Sequence, residues 1–196
     1  MDKHTQTAIN VLAEGGIIIF PTDTAFGIGC RLDMPDTVDR LFALRKRPVS
    51  QAMPVLVDSV AMALLYLDHP RDIVRRLMQA HWPGGLTIVA PCKTDLVHSP
   101  IRGNGNSIGV REPDHSSTKA IIRGAGVPLL GSSANFHGKE TPYRLEDLDP
   151  ELVSLVDYVV PGVCAAQKAS TVVDTTVSPA VIKREGAVIL LPQELV

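Results

Sequence analysis

Ile17-Ile18-Ile19-Phe20-Pro21-Thr22-Asp23-Thr24 is the stretch from which the rest of the chain can be read. Four consecutive apolar residues without alternation are the pattern of a short strand buried on both faces. Pro21 has no N–H and stops ladder pairing. Two hydroxyls and a carboxylate follow at once, at a strand end, where open α/β sheets hold ligands. They either face a ligand or close an Asx- or ST-type turn, and the segment alone does not choose between these.

Working outward, Gln6–Glu14 has helical periodicity and is stopped by Gly15-Gly16. A second helix is expected from Pro35 or Asp36 to Leu44, two more over 59–67 and 71–81, and another over 116–123. Strands are expected at 53–57, 86–90, 107–111, 127–130, 158–160, 171–175, 181–184 and 187–190, with a short helix near 145–148. This order predicts a mixed sheet with helices packed on it, not a purely parallel one. Residues 91–106 hold prolines and glycines and few core candidates, so that connection is expected to be functional or mobile, a possible lid. No repeat or low-complexity tract is present.

A length of 196 residues suits one domain, 1–196, with a substantial core. The chain is 45% hydrophobic and 20% charged, with a net charge of −2, so bulk electrostatics do not announce a nucleic-acid binder. Cys30, Cys92 and Cys164 have no metal-ligand spacing and read as reduced, buried thiols, as in a cytosolic protein. The N-terminus does not resemble a signal peptide and no apolar run is long enough to span a bilayer. A cytoplasmic protein with no membrane association is the expectation. The six histidines form no HxxxH or HExxH pattern, and no metal site built from side chains is expected. Walker A, GxGxxG and GxSxG motifs are absent.

Local chemistry is more informative. Arg40, Arg45, Lys46 and Arg47 end the second predicted helix with no acid through Val57. Interaction with the helix dipole accounts for one or two of them, and the whole group favours an anion site. Ser107 and Arg111 lie four apart in a strand and so share a face. Arg111 either reaches a ligand carboxylate or phosphate, or pairs with Glu112 or Asp114. Gly131-Ser132-Ser133-Ala134-Asn135 supplies a glycine, hydroxyls and an amide straight after a predicted strand. Trp82-Pro83-Gly84-Gly85 reads as a sharp structural turn with an aromatic plug.

Together these segments resemble the YrdC/Sua5/YciO family over about residues 6–190. Pro21-Thr22-Asp23-Thr24 with Phe26-Gly27-Ile28-Gly29 is similar to its opening motif. Arg45-Lys46-Arg47 and Ser133-Ala134-Asn135 resemble its KxR…SxN signature, with Arg45 where the family has lysine. Trp82–Thr87, Val110–His115 and Ser170–Asp174 resemble three further motifs in the family's order. Ser107–Arg111 and Gln167–Thr171 lean toward the YciO branch, and Ser133–Asn135 toward the synthase branch.

The resemblance implies an α+β (mixed α/β) fold, the YrdC-like fold: a strongly twisted mixed sheet with flanking helices and a positively lined concave face. It implies a nucleotidyltransferase that makes L-threonylcarbamoyladenylate and pyrophosphate from L-threonine, bicarbonate or CO2, and ATP with Mg2+. Downstream proteins then transfer the threonylcarbamoyl group to the tRNA adenosine beside the anticodon. By the same resemblance Thr22, Arg111 and Ser170 hold threonine. Arg45, Arg47, Ser107, Ser133, Asn135, Thr141 and Arg184 hold ATP, with Arg45, Arg47 and Arg111 catalytic. Mg2+ rides on the phosphates. The alternative is a YciO-like factor that binds tRNA, double-stranded RNA or the ribosome through the basic face without this activity.

Overall fold

A computed structural model describes residues 2–196. The chain starts in α1 (Lys3–Ala13), capped by Asp2, whose carboxylate accepts from the backbone N–H groups of His4 and Thr5. That cap starts the helix three residues before its apolar periodicity does. Gly15, at φ 79°, turns the chain out of α1 into β1 (Ile18–Phe20). Next come β2 (Gly27–Gly29), α2 (Pro35–Leu44), β3 (Val55–Leu56), α3 (Val60–Tyr66), α4 (Asp72–His81) and β4 (Leu86–Pro91). The second half contains β5 (Ser107–Arg111), α5 (Ser116–Ala125), β6 (Leu129–Leu130), β7 (Ser132–Ser133), α6 (Pro150–Ser154), β8 (Tyr158–Val159), β9 (Thr171–Asp174) and β10 (Val181–Arg184).

The strands form two mixed sheets, in the orders β7-β2-β1-β8 and β10-β9-β4-β5-β3-β6. A seam joins them. Ser132 and Ser133 pair antiparallel with Ile28 and Gly27, while Arg31 bridges Leu129 and the Leu130 N–H donates to the Cys30 carbonyl at 2.9 Å. Residues 129–130 also pair with β3, and the Gly131 N–H donates to the Pro54 carbonyl at 2.9 Å. The stretch 129–133 therefore belongs to both sheets.

Alternate residues along Ile17–Phe20 enter different cores. Ile17 and Ile19 pack with Val38, Leu41, Val74, Leu77, Ile88 and Val110. Ile18 and Phe20 pack with Ala8, Leu12, Ile121 and Ile122 of α1 and α5. The strand is covered on both faces, as its unbroken apolar run requires. All three cysteines are buried and unpaired, and burial pushes the Cys30 thiol up to about 12.

The mixed α/β class is as expected, but several local readings need correction. β2 and β7 are strands that glycine and serine content concealed. Residues 187–190 are not a strand: the Ala187 and Val188 N–H groups donate to the Ala169 carbonyl and Thr171 Oγ1, so the segment crosses the start of β9 instead of pairing along β10. The helix expected near 145–148 is a 3-10 turn over Leu145–Asp147, and α6 follows it. The 91–106 connection is anchored. Val97 and Ile101 are buried, the Met53 N–H donates to the Ile101 carbonyl at 2.9 Å, and none of these residues lines the cleft described below.

At the seam, a Cβ on Gly29 would lie 1.6 Å from the Leu130 carbonyl oxygen. Only backbone could yield there, so Gly29→Ala is expected to cost more than ~4 kcal/mol or to prevent folding. Urea denaturation followed by circular dichroism tests this; a midpoint near wild type would contradict the close seam.

Candidate active site

The seam and the ends of β1, β4, β5, β9 and β10 surround a cleft enclosing about 150 Å3. Its walls include Thr22, Thr24, Phe26, Arg47, Leu56, Thr87, Arg111, Ser132, Ser133, Thr141, Ser170 and Arg184. No aspartate or glutamate is among its lining residues. The enclosed space is below the ~300–1,000 Å3 of pockets that surround drug-sized ligands. A ligand of that size would therefore extend beyond it along the open face.

Arg111 ends β5, a central strand, and is 5% exposed. Its Nε donates to the Gly84 carbonyl at 2.9 Å, Nη1 donates to Thr24 Oγ1 at 2.7 Å, and Nη2 donates to Asp23. One N–H on each terminal nitrogen has no partner among the described residues. Glu112, which the sequence offered as a partner, instead accepts from Lys119. Arg184 donates from Nε to the Ser170 carbonyl and from Nη2 to Ser170 Oγ, both at 3.0 Å. Arg47 donates from Nε to the Gln51 carbonyl at 3.0 Å and from Nη2 to the Ala52 carbonyl. In both, Nη1 is unengaged among the described residues. Burial pulls all three guanidinium groups below the usual arginine range, with Asp23 partly opposing this at Arg111.

The hydroxyls differ in what they can offer. Thr22 Oγ1 donates to the Ala25 carbonyl at 2.7 Å and accepts from the Thr24 and Ala25 N–H groups, so it closes its own turn. Thr24 Oγ1 lies 3.0 Å from it and accepts from Arg111. Ser170 Oγ lies 2.9 Å from Thr87 Oγ1 and retains capacity for a ligand. Ser133 lines the cleft and donates to Asn135 Oδ1 at 2.7 Å, so its oxygen keeps acceptor capacity.

The sequence-derived set is thus partly assembled. Thr22, Arg47, Arg111, Ser133, Thr141, Ser170 and Arg184 share the cleft; Arg45, Asn135 and Ser107 do not line it. Ser107 is at the opposite end of β5 from Arg111, beside Pro91, roughly 13 Å away at the strand's rise per residue. Arg45, at the C-terminus of α2, is 1% exposed. It donates to the Asn135 carbonyl and Oδ1, both at 2.9 Å, and to Ser132 Oγ at 2.6 Å. Burial, with Arg47 nearby, pulls it down to about 10. Asn135 Nδ2 donates to the Lys139 carbonyl, so both residues brace the 132–135 wall from behind. Lys46 sits 4.8 Å from the Phe136 ring centre and Arg40 pairs with Asp157 at 2.6 Å, so the four basic residues do not form one anion site. Thr87 was missed by sequence reasoning. Its signal is a hydroxyl inside the otherwise apolar start of β4.

Removing the brace leaves buried acceptors unpaired, so Arg45→Met is expected to lower stability by about 3 kcal/mol. Arg47→Met is expected to cost no more than ~1 kcal/mol while weakening anion binding in the cleft. Denaturant titration of both variants, with calorimetry on Arg47→Met, checks this; equal stability losses would contradict the division.

The profile of the Sua5/YciO/YrdC family, described as "Telomere recombination", matches residues 10–186. The chain is 32% identical over 154 residues to a Vibrio parahaemolyticus protein named threonylcarbamoyl-AMP synthase, covering 78% of this chain and 82% of the relative. It is 29% identical over 160 residues to the Bacillus subtilis protein of the same name, covering 80% of this chain and 46% of the relative. The structure is similar to that of P. abyssi Sua5 complexed with L-threonine, with a TM-score of 0.88 and 26% identity over 93% of this chain and 54% of that one. Against E. coli YciO the TM-score is 0.81 with 25% identity, over 93% of this chain and 88% of that one. The chain thus spans about half the length of the B. subtilis relative and of P. abyssi Sua5. With the profile running from α1 to the turn after β10 and relatives of this similarity, the chain belongs to the Sua5/YciO/YrdC family.

Proposed function

We propose that the cleft joins L-threonine, bicarbonate or CO2, and ATP into L-threonylcarbamoyl-AMP, releasing pyrophosphate. The observation that carries this is the convergence of Arg47, Arg111 and Arg184, each with unengaged N–H groups, on a cleft without acidic lining residues. Both reacting partners are anions, the carbamate of threonine and the triphosphate, and they must meet despite their repulsion. The buried guanidinium of Arg111 and the half-buried one of Arg47 attract them more strongly than fully solvated groups would, and Arg184 adds its charge at the exposed rim.

The reaction forms a bond from a carbamate oxygen to the α-phosphorus and breaks the α–β phosphoanhydride, with pyrophosphate leaving. No covalent protein nucleophile is required. The protein aligns the two anions and stabilises charge on the transferring phosphoryl group. Arg111, with Ser170, holds the amino-acid end; Arg47 and Arg184 lie along the path of the phosphates. Mg2+ enters with ATP as part of the substrate, since the cleft offers hydroxyls in place of a carboxylate cage. The product would pass to proteins that transfer the threonylcarbamoyl group to tRNA adenosine. Among the described residues no helix is long and apolar enough to cross a membrane. A cytoplasmic site of action suits a tRNA-directed product.

Pyrophosphate release is expected to require threonine, bicarbonate, ATP and Mg2+ together. Arg111→Ala should lower turnover by ~100-fold or more, as loss of a transition-state donor does. Pure, folded protein that binds RNA in a salt-sensitive way but releases no threonine-dependent pyrophosphate would favour the non-catalytic alternative.

A further inference from the structure

We propose that Asp23 is a positioning residue, whose carboxylate sets the orientation in which Arg111 presents its unengaged N–H groups to an amino-acid carboxylate or carbamate. This rests on the functional reading above. Asp23 is not among the residues lining the cleft, yet it accepts from Arg111 Nη2, and the two form an ion pair. The aspartate is itself held in place. Its Oδ1 accepts from the Asp114 backbone N–H at 3.2 Å, and its carbonyl accepts from the Ala166 N–H at 2.8 Å. The segments after β5 and after β8 therefore clamp it from two sides.

Arg111 has three anchors, and each restricts a different nitrogen. Gly84 holds Nε, Thr24 holds Nη1 and Asp23 holds Nη2. Only Asp23 carries charge. A buried guanidinium needs an opposite charge or several good acceptors to remain in place as a cation. The other charged side chain acting on it, Arg184, repels it. Without the carboxylate, the hydroxyl and carbonyl would have to hold the cation alone against Arg184. Two-pronged recognition of a carboxylate depends on the plane of the guanidinium, so small rotations weaken it. Asp23 thereby acts on substrate through Arg111, without touching it.

The test compares wild type with Asp23→Asn, which keeps shape and removes charge, and with Asp23→Glu, which keeps charge. Calorimetry with L-threonine alone and ATP alone is combined with NMR of the Arg111 Nε–H. In Asp23→Asn the threonine affinity is expected to fall ~10–100-fold while ATP affinity stays within about twofold. The Nε–H signal should shift and exchange faster with solvent. Asp23→Glu should recover part of the threonine affinity. Unchanged threonine affinity in Asp23→Asn overturns the proposal, as do equal losses for both ligands. If wild type itself fails to bind threonine, the functional reading fails. The Nε–H signal then decides the positioning role separately, and an unchanged signal in Asp23→Asn overturns it.

Discussion

The fold depends on the backbone pairing of residues 27–31 with 129–133. These segments are a hundred residues apart, and their pairing turns two mixed sheets into one continuous support. It tolerates little variation, because Gly29 lies against the Leu130 carbonyl and Gly131 against Leu56. From that seam β1 presents Thr22 and Thr24, β7 presents Ser133, and β5 delivers Arg111 by way of β3. Side chains from distant positions meet because the strands ending there are held in register.

Cationic groups beside a cavity are costly to desolvate, and the protein offsets this largely with neutral acceptors. Arg45, Arg47 and Arg184 rest on carbonyls, hydroxyls and one amide oxygen. Among the cleft arginines, only Arg111 has a carboxylate partner. Neutral acceptors fix a guanidinium without cancelling its charge, so the cleft keeps a positive field for an anion. Arg45 is different, with each of its guanidinium nitrogens bonded to the 132–135 wall, and it stabilises shape more than charge.

Much of the architecture could be read in the residues. The apolar run of β1, the glycine stop after α1 and the proline start of α2 each follow from one local rule. β2 was not legible, because Gly27-Ile28-Gly29 lacks strand propensity and is a strand only through its partners. Ala187–Leu190 misled in the opposite direction: its apolar residues pack onto Gly85 and β9 without ladder pairing. At the site, Arg111 was legible as chemistry on a strand face, and Ser170 through the motif it shares with the family. Whether the Thr22 hydroxyl serves a ligand or a turn was not, since that depends on where the Ala25 carbonyl points. Nor could spacing reveal that Arg45 turns inward, because its acceptors lie ninety residues away.

The turn between α4 and β4 links distant parts of the molecule. Gly84 supplies the carbonyl that holds Arg111, and Gly85 packs against Thr24, Ala187 and Val188. The Thr171 N–H also donates to the Gly85 carbonyl at 2.9 Å. The segment following β10 thus leans on Gly85, next to the glycine whose carbonyl holds the cleft's most buried cation. Displacing that segment would loosen Gly85 and, through the adjoining Gly84 carbonyl, the hold on Arg111. The segment after β10 thus has mechanical leverage over the cleft from outside its walls.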